Sequence, residues 1–238
     1  MADWIAGFDV PDFPRPAELV GLWHPDEYPI NEGPVRSTEG REFPASAFED
    51  TVREVHVEHS NALHAVFADT GTPYFVGPLA RVNLNAAHLS PTAVEAARRT
   101  GLVVPQVDPF ASMAARVVET GVAIDECIRL IEGYRQPDTP HADVRPTAGR
   151  GAWVTEAPRG ILYHRYDVAA DGTILSARIV PPTSQNLRHM EADLRQFIPG
   201  VLDEPDEELV RLCEMVVRNY DPCISCATHF LRLEVEGR

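Results

Sequence analysis

The run Gly160-Ile-Leu-Tyr-His-Arg-Tyr-Asp-Val168, followed by Ala170-Asp171-Gly172 and then Thr173-Ile-Leu-Ser-Ala-Arg-Ile-Val180, decides the architecture. Two β-rich runs closed around Asp-Gly read as an antiparallel hairpin. Two helices are expected after it, over residues 186–198 and 206–220, separated by Pro199-Gly200 and Pro205. Before it, the Pro- and Gly-rich stretch 137–151 reads as a linker. Further upstream the chain is mainly helical. Val117, Gly121, Ile124, Ile128 and Ile131 recur at spacings of three and four, which predicts a helix over 112–134. Ser90 as N-cap and Pro91 at the first helical position open another helix that runs to Thr100, before Gly101. Residues 48–67 read as helical in parts, from Val52, Val55, Leu63 and Val66. Val35 to Phe43 suggests a short strand and turn, and Tyr74 to Leu79 a buried loop or strand end. Residues 1–34 are Pro-rich, with scattered Trp4, Phe8, Phe13 and Trp23, and read as an extended segment lying on a body. The expected class is α+β, mainly helical with small antiparallel β hairpins, not a doubly wound sheet. Its expected division is 1–34, 35–136, 137–151 and 152–238.

Composition narrows the function by exclusion. The chain has 238 residues, with 36 acidic against 21 basic side chains and a net charge of -15. That balance opposes binding to nucleic acid or an anionic membrane surface. Every basic residue is Arg, so Schiff-base lysine chemistry, pyridoxal phosphate attachment and a P-loop lysine are excluded. No apolar run approaches the ~18 residues of a membrane span. Met1-Ala2-Asp3-Trp4 lacks the start of a signal peptide, and four Cys are too few for a disulfide scaffold. A reduced, cytoplasmic setting is therefore expected.

The chemistry concentrates in Asp221-Pro222-Cys223-Ile224-Ser225-Cys226-Ala227-Thr228-His229. Cys223 and Cys226, three apart in a helical turn opened by Asp221-Pro222, present both sulfurs on one side. His229 adds a nitrogen nearby, and thiolates select soft or borderline metals over Mg or Ca. A thioredoxin-type disulfide wants a strand before the motif, where this chain has a helix. A structural zinc site wants about four ligands, and there is no second Cys pair. Buried, unreactive thiols are the plain alternative. The arrangement fits best a soft-metal catalytic site completed by ligands from elsewhere.

That segment resembles the C-terminal signature of the large subunit of nickel–iron hydrogenases. Glu156-Ala-Pro-Arg-Gly160 resembles the family's loop over the metal pair, and Pro181-Pro-Thr-Ser-Gln-Asn186 its second loop. Val76-Gly-Pro-Leu-Ala-Arg81 and Tyr28-Pro-Ile-Asn-Glu-Gly33 resemble stretches of the cytoplasmic, pyridine-nucleotide-coupled class. The resemblance is to about the C-terminal half of such a subunit and implies that fold in part.

The resemblance also implies roles. Cys223 would be a terminal thiolate on Ni, and Cys226 a thiolate bridging Ni and Fe of a Ni–Fe(CN)2(CO) centre. His229 would bind a Mg-type ion with the main-chain carbonyl of Ile179. Arg159 would hang over the open bridging position as catalytic base or electrostatic partner in the heterolysis of dihydrogen. Pro158, Arg159, Ile161, Pro182 and Thr183 would line the pocket for the cyanide and CO ligands, where anionic cyanide wants donors. Electrons would leave through an Fe–S small subunit, and NAD(P) would be reduced on diaphorase-type subunits, since no G-x-G-x-x-G occurs here.

One departure accompanies these matches. The family holds its metals with four thiolates, two of them from an Arg-x-Cys-Gly-x-Cys motif that these 238 residues do not contain. A further chain carrying that pair is therefore an expected partner. Cys127, beside Ile124 and Ile128, and Cys213, beside Leu209 and Val216, read as core thiols instead. The rival readings are a non-catalytic truncated remnant or split-subunit scaffold, and a zinc or thiol-redox protein built on the Cys pair. Phe230 to Arg238 is expected to be a peptide removed after His229. His56, His59 and His64, on a supposed helix, read as surface or polar-core side chains rather than a metal site. Asp203 to Glu208 reads as a solvated helix start, and Arg159 has Glu156 as its plain alternative partner.

Overall fold

Ser90 caps its helix as the sequence requires. Its Oγ accepts from Ala93 N at 3.3 Å, Pro91 takes the first position, and Gly101 closes the end at φ 74°. Such a cap stabilises by about 1 kcal/mol. The computed structural model describes residues 1–223. In chain order it holds α1 (Ala2–Ala6), β1 (Leu19–Leu22), β2 (Val35–Ser37), β3 (Glu42–Phe43), α2 (Phe48–Thr51), β4 (Val52–Val57) and β5 (Ser60–Phe67). Then come β6 (Phe75–Val76), α3 (Pro78–Asn85), α4 (Pro91–Thr100), α5 (Ser112–Gly133), β7 (Gly149–Ala157), β8 (Gly160–Val168), β9 (Ile174–Val180), α6 (Pro182–Phe197) and α7 (Asp206–Asn219). The class is α+β with small, mostly antiparallel sheets, as expected.

Three sheets form, ordered β3-β2-β1-β6, β4-β5 and β7-β8-β9. Among the described residues only β1 and β6 pair in parallel. The sheets share a core in which Phe48 stacks on Tyr163 with ring centroids 4.3 Å apart. The helices share another, where Leu79, Ala93, Ala115, Val118 and Met190 meet. Close approach of α4 to α5 depends on Gly121, whose added Cβ would lie 3.1 Å from Ala93 Cα. Among the described residues no helix is long and apolar enough to cross a membrane.

Several expectations are corrected. Residues 52–67 form a hairpin, β4–β5, rather than helix. Val52 and Val55 are three apart in sequence, a spacing that imitates a helix, yet they stand in an unbroken ladder opposite Phe67 and His64, and a register shift follows between Val55 and Val57. His56, His59 and His64 accordingly lie on this hairpin, with His64 buried and His59 bonded to Glu191 of α6. Residues 1–34 are not merely draped on a body, because Leu19–Leu22 is an inner strand, buried throughout. Residues 149–151 belong to β7, whose glycines dilute the strand pattern. Helix α6 starts at Pro182, four residues before the expected Asn186, because Pro suits the first helical position.

The apolar stripe of α5 is also turned the other way. Ala115, Val118 and Val122 are buried, whereas Ile124, Ile128 and Ile131 are exposed. Cys127 is exposed beside them, so it is not a core thiol. Cys213, on α7, is half-buried.

Candidate metal centre

The hairpin β7–β8 pairs Ala157 with Gly160, so Pro158 and Arg159 are its two-residue tip. Gly160 makes the tip possible at φ 133°, and its added Cβ would lie 2.4 Å from Val76 Cγ2. On the other side, a Cβ on Gly77 would lie 3.0 Å from Arg159 O. The backbones of 76–77 and 159–160 therefore touch directly, and only glycine allows it.

A buried cation holds the tip from below. Arg81 of α3 donates to Ala157 O at 2.8 Å and Pro158 O at 3.2 Å. Its charge is met by Glu119 of α5 at 2.5 and 2.6 Å and by Glu156 at 2.7 Å. Glu156 also accepts from Leu22 N at 2.8 Å, and Tyr28 donates to Glu119 at 2.7 Å. Burial pushes the Glu156 carboxyl up, against the pull of Arg81. Burial and the Glu119 charge hold the Tyr28 phenol well above its ordinary range. Burial opposes the Arg81 charge too, but Glu119 and Glu156 outweigh it and keep the guanidinium protonated. Pro158, Ala157, Arg81, Glu119, Glu156 and Tyr28 border a cavity of about 270 Å³ beside the tip.

The first turn of α6 closes the opposite side. Asn186 accepts from Val76 N at 2.9 Å and donates to Val76 O at 3.0 Å and Arg159 O at 3.5 Å. Gln185 donates to Ile161 O at 2.7 Å and accepts from Tyr74 OH at 3.1 Å. Ile161 itself is fully buried in the sheet core. Pro182 and Thr183, on the same turn, are buried.

The end of α7 delivers the described part of the cysteine motif. Tyr220 bonds His189 at 2.7 Å and donates to Asp193, which pairs with Arg15. Burial, with Arg15 beside it, lowers the His189 pKa to about 3, so the ring is neutral. Arg116 of α5 donates to Asn219 O at 2.7 Å. Asp221 then takes the left-handed conformation at φ 48°. Arg159 donates to Asp221 O and lies 3.1 Å from its Oδ2. Cys223 N donates to Thr183 Oγ1 at 3.4 Å.

Pro158, Arg159, Pro182, Thr183 and Cys223 thus come from three separated stretches, joined by the contacts of Arg159 with Asp221 and of Cys223 with Thr183. Arg159 pairs with Asp221 rather than Glu156, which Arg81 occupies. Ile179 lies in β9 opposite His164, four residues before Thr183, with a half-exposed side chain. Cys226, His229 and the segment Phe230 to Arg238 lie outside the described residues. Among the described residues no group of three or more His, Cys, Asp and Glu is placed to hold a metal ion. Of the thiols in the motif the described residues include Cys223, whose main chain meets the Thr183 hydroxyl. Cys127 and Cys213, far along α5 and α7, do not add to it. Glu119 has no part in the sequence reading, and Arg81 and Asn186 stand in their motifs without a role, although a charge inside Leu79-Ala80-Arg81-Val82 is itself a sign of a buried partner.

Comparison with known proteins places the chain. Residues 68–229 match the family model of the nickel-dependent hydrogenases. Sulfhydrogenase 1 subunit alpha of Pyrococcus furiosus is 36% identical over 210 residues, which span 87% of this chain and 48% of that protein. The NAD-reducing hydrogenase HoxS subunit beta of Cupriavidus necator is 33% identical over 165 residues, 66% of this chain and 34% of that one. A crystal structure of an NAD+-reducing nickel–iron hydrogenase in the H2-reduced state superposes with a TM-score of 0.72 at 25% identity, covering 96% of this chain and 53% of that one. The chain spans about half the length of such relatives. With the match running through the Arg159 tip, the Thr183 turn and the cysteine motif, the chain belongs to the nickel-dependent hydrogenase family.

Proposed function

We propose that this chain supplies Cys223 and Cys226 as two of the four thiolates of a nickel–iron centre for the reversible oxidation of dihydrogen to protons and electrons. The other two come from polypeptide beyond these 238 residues. Electrons pass to an Fe–S small subunit and from there to diaphorase-type subunits, in a cytoplasmic complex. What supports the reading is the convergence of Arg159, Thr183 and Cys223, held by the contacts of Arg159 with Asp221 and of Cys223 with Thr183.

When bound, the centre supplies the electron-pair acceptor for heterolysis of dihydrogen. This chain's residues do the rest. Asp221 fixes the Arg159 guanidinium through one edge and leaves its other N–H groups to face anionic ligands. Thr183 Oγ1 accepts from Cys223 N, so its own proton is available to a cyanide nitrogen. A cysteine sulfur would take the proton of dihydrogen, with the Arg159 guanidinium as its electrostatic partner. His229 and the carbonyl of Ile179 would hold a Mg-type ion.

Anaerobic co-expression with a chain carrying the Arg-x-Cys-Gly-x-Cys pair, followed by metal analysis, tests this. Nickel and iron in near-equal amounts, lost in Cys223→Ser, is the expected result. Zinc in their place would establish the zinc or thiol-redox reading. Neither metal would establish the non-catalytic scaffold.

A further inference from the structure

Helix α5 changes its apolar side halfway along. In its first half Ala115, Val118 and Val122 face α3 and α4 and are buried. At about 100° per residue, that same side carries Asp125, Arg129 and Glu132 in the second half. The opposite side then becomes apolar. Ile124, Cys127, Ile128, Leu130, Ile131 and Tyr134 fill an arc of roughly 160° at that same pitch. All six are exposed, Ile131 at 74% and Ile124 at 52%.

A helix ordinarily buries such an arc. This one turns it away from its own body, toward something the described residues do not provide. Scattered exposed apolar side chains need no explanation, but a contiguous helical face does. Two observations identify the occupant. The relatives carry about as much polypeptide again, since this chain covers 48% of one and 53% of another. The face is also continuous with the candidate centre. On the same helix, Arg116 holds Asn219 O and Glu119 holds Arg81. An element seated on the second half of α5 therefore shares its helix with Arg116 and Glu119, which hold the end of α7 and the Arg81 cluster.

We infer that the outer face of α5, centred on Cys127, is the surface on which the remaining half of the family fold docks. The inference rests on the proposed function for its partner, and it assigns the surface to that partner. The occupant is a polypeptide presenting an apolar helical face, and the packing is of the kind that closes a protein core.

Cys127 reports on the surface directly. The full chain is mixed with the portion of Pyrococcus furiosus sulfhydrogenase 1 subunit alpha that it does not match, and N-ethylmaleimide addition at Cys127 is followed by peptide mass mapping. Addition is expected to slow at least tenfold in the complex. The double variant Ile124→Glu, Ile131→Glu is expected to keep its circular dichroism spectrum and lose the association. An unchanged rate at Cys127, or no association of the wild-type chain, overturns the inference. Protection of Cys127 in the chain alone, rising with concentration, also overturns it and assigns the face to a second copy. Nickel content of the same complex separates the two readings. Protection without nickel leaves the docking face standing and the metal reading fallen; nickel with a reactive Cys127 does the reverse.

Discussion

Arg159 donates to the main-chain carbonyl of Asp221 and lies 3.1 Å from its Oδ2, which ties the tip of one hairpin to the start of the cysteine motif. Asp221 holds this position at φ 48°, a conformation that Asp and Asn tolerate and Ala resists. The pair is partly exposed, so its charge contributes little to stability, about 0–1 kcal/mol. Asp221→Asn is therefore expected to unfold within about 0.5 kcal/mol of wild type. Asp221→Ala is expected to lose roughly 1–2 kcal/mol, mostly backbone strain. Urea denaturation of the two variants checks it, and equal losses would place the effect in the charge instead.

The Arg81 cluster is a different case, because its members are buried. Removing the cation in Arg81→Met leaves Glu119 and Glu156 facing each other without compensation, at an expected cost of about 3–5 kcal/mol. Adding Glu156→Gln is expected to recover part of that loss. A double-mutant cycle in urea measures the coupling, and simple additivity would mean that the charges do not interact.

Gly160 leaves no room for substitution. Gly160→Ala combines φ 133° with a Cβ 2.4 Å from Val76 Cγ2. We expect a loss above roughly 2 kcal/mol. Val76→Ala in the same chain removes Cγ2 but leaves its own Cβ 2.7 Å away and the backbone strain in place, so thermal unfolding should show partial rescue only.

His189 makes stability depend on pH. Its folded pKa is about 3, below the ordinary 6.5, so the unfolded chain takes up a proton that the folded chain refuses. Stability from this group is complete above about 6.5 and falls as pH drops toward 3, by up to ~1.4 kcal/mol per pH unit. Burial lowers His64 as well, in the same direction. The difference between wild type and His189→Asn isolates the first group from the second. Denaturant midpoints between pH 7 and 4 should converge for the two proteins as pH falls, and parallel curves would contradict the assignment.

What the sequence reveals depends on how local the cause is. Helix α4 is legible because Ser90, Pro91 and Gly101 act within one turn of its ends. The hairpin β8–β9 is legible through Asp171-Gly172. In α5 the periodicity gives the helix but not which side is covered, since its second half is apolar toward absent neighbours. At β4–β5 the apolar residues Val52 and Val55 fall three apart within a regular ladder, so their spacing imitates a helix. Within the candidate site, Arg159, Thr183 and Cys223 stand in recognisable motifs. Arg81 and Glu156 do too, but their pairing is not legible, because Arg81 meets Glu119 across 38 residues and Glu156 across 75, and neither distance leaves a pattern.

Asn186 gives the short strand β6 a neighbour it otherwise lacks. Its amide takes the N–H and returns a donor to the C=O of Val76, as the next strand of a sheet would. The ribbon ends there, closed by a single side chain, and an edge that would attract a stray strand is sealed. Because that amide belongs to the same helical turn as Thr183, the oxygen that meets Cys223 is indexed to the sheet itself, and repositioning it would require unzipping a β ladder.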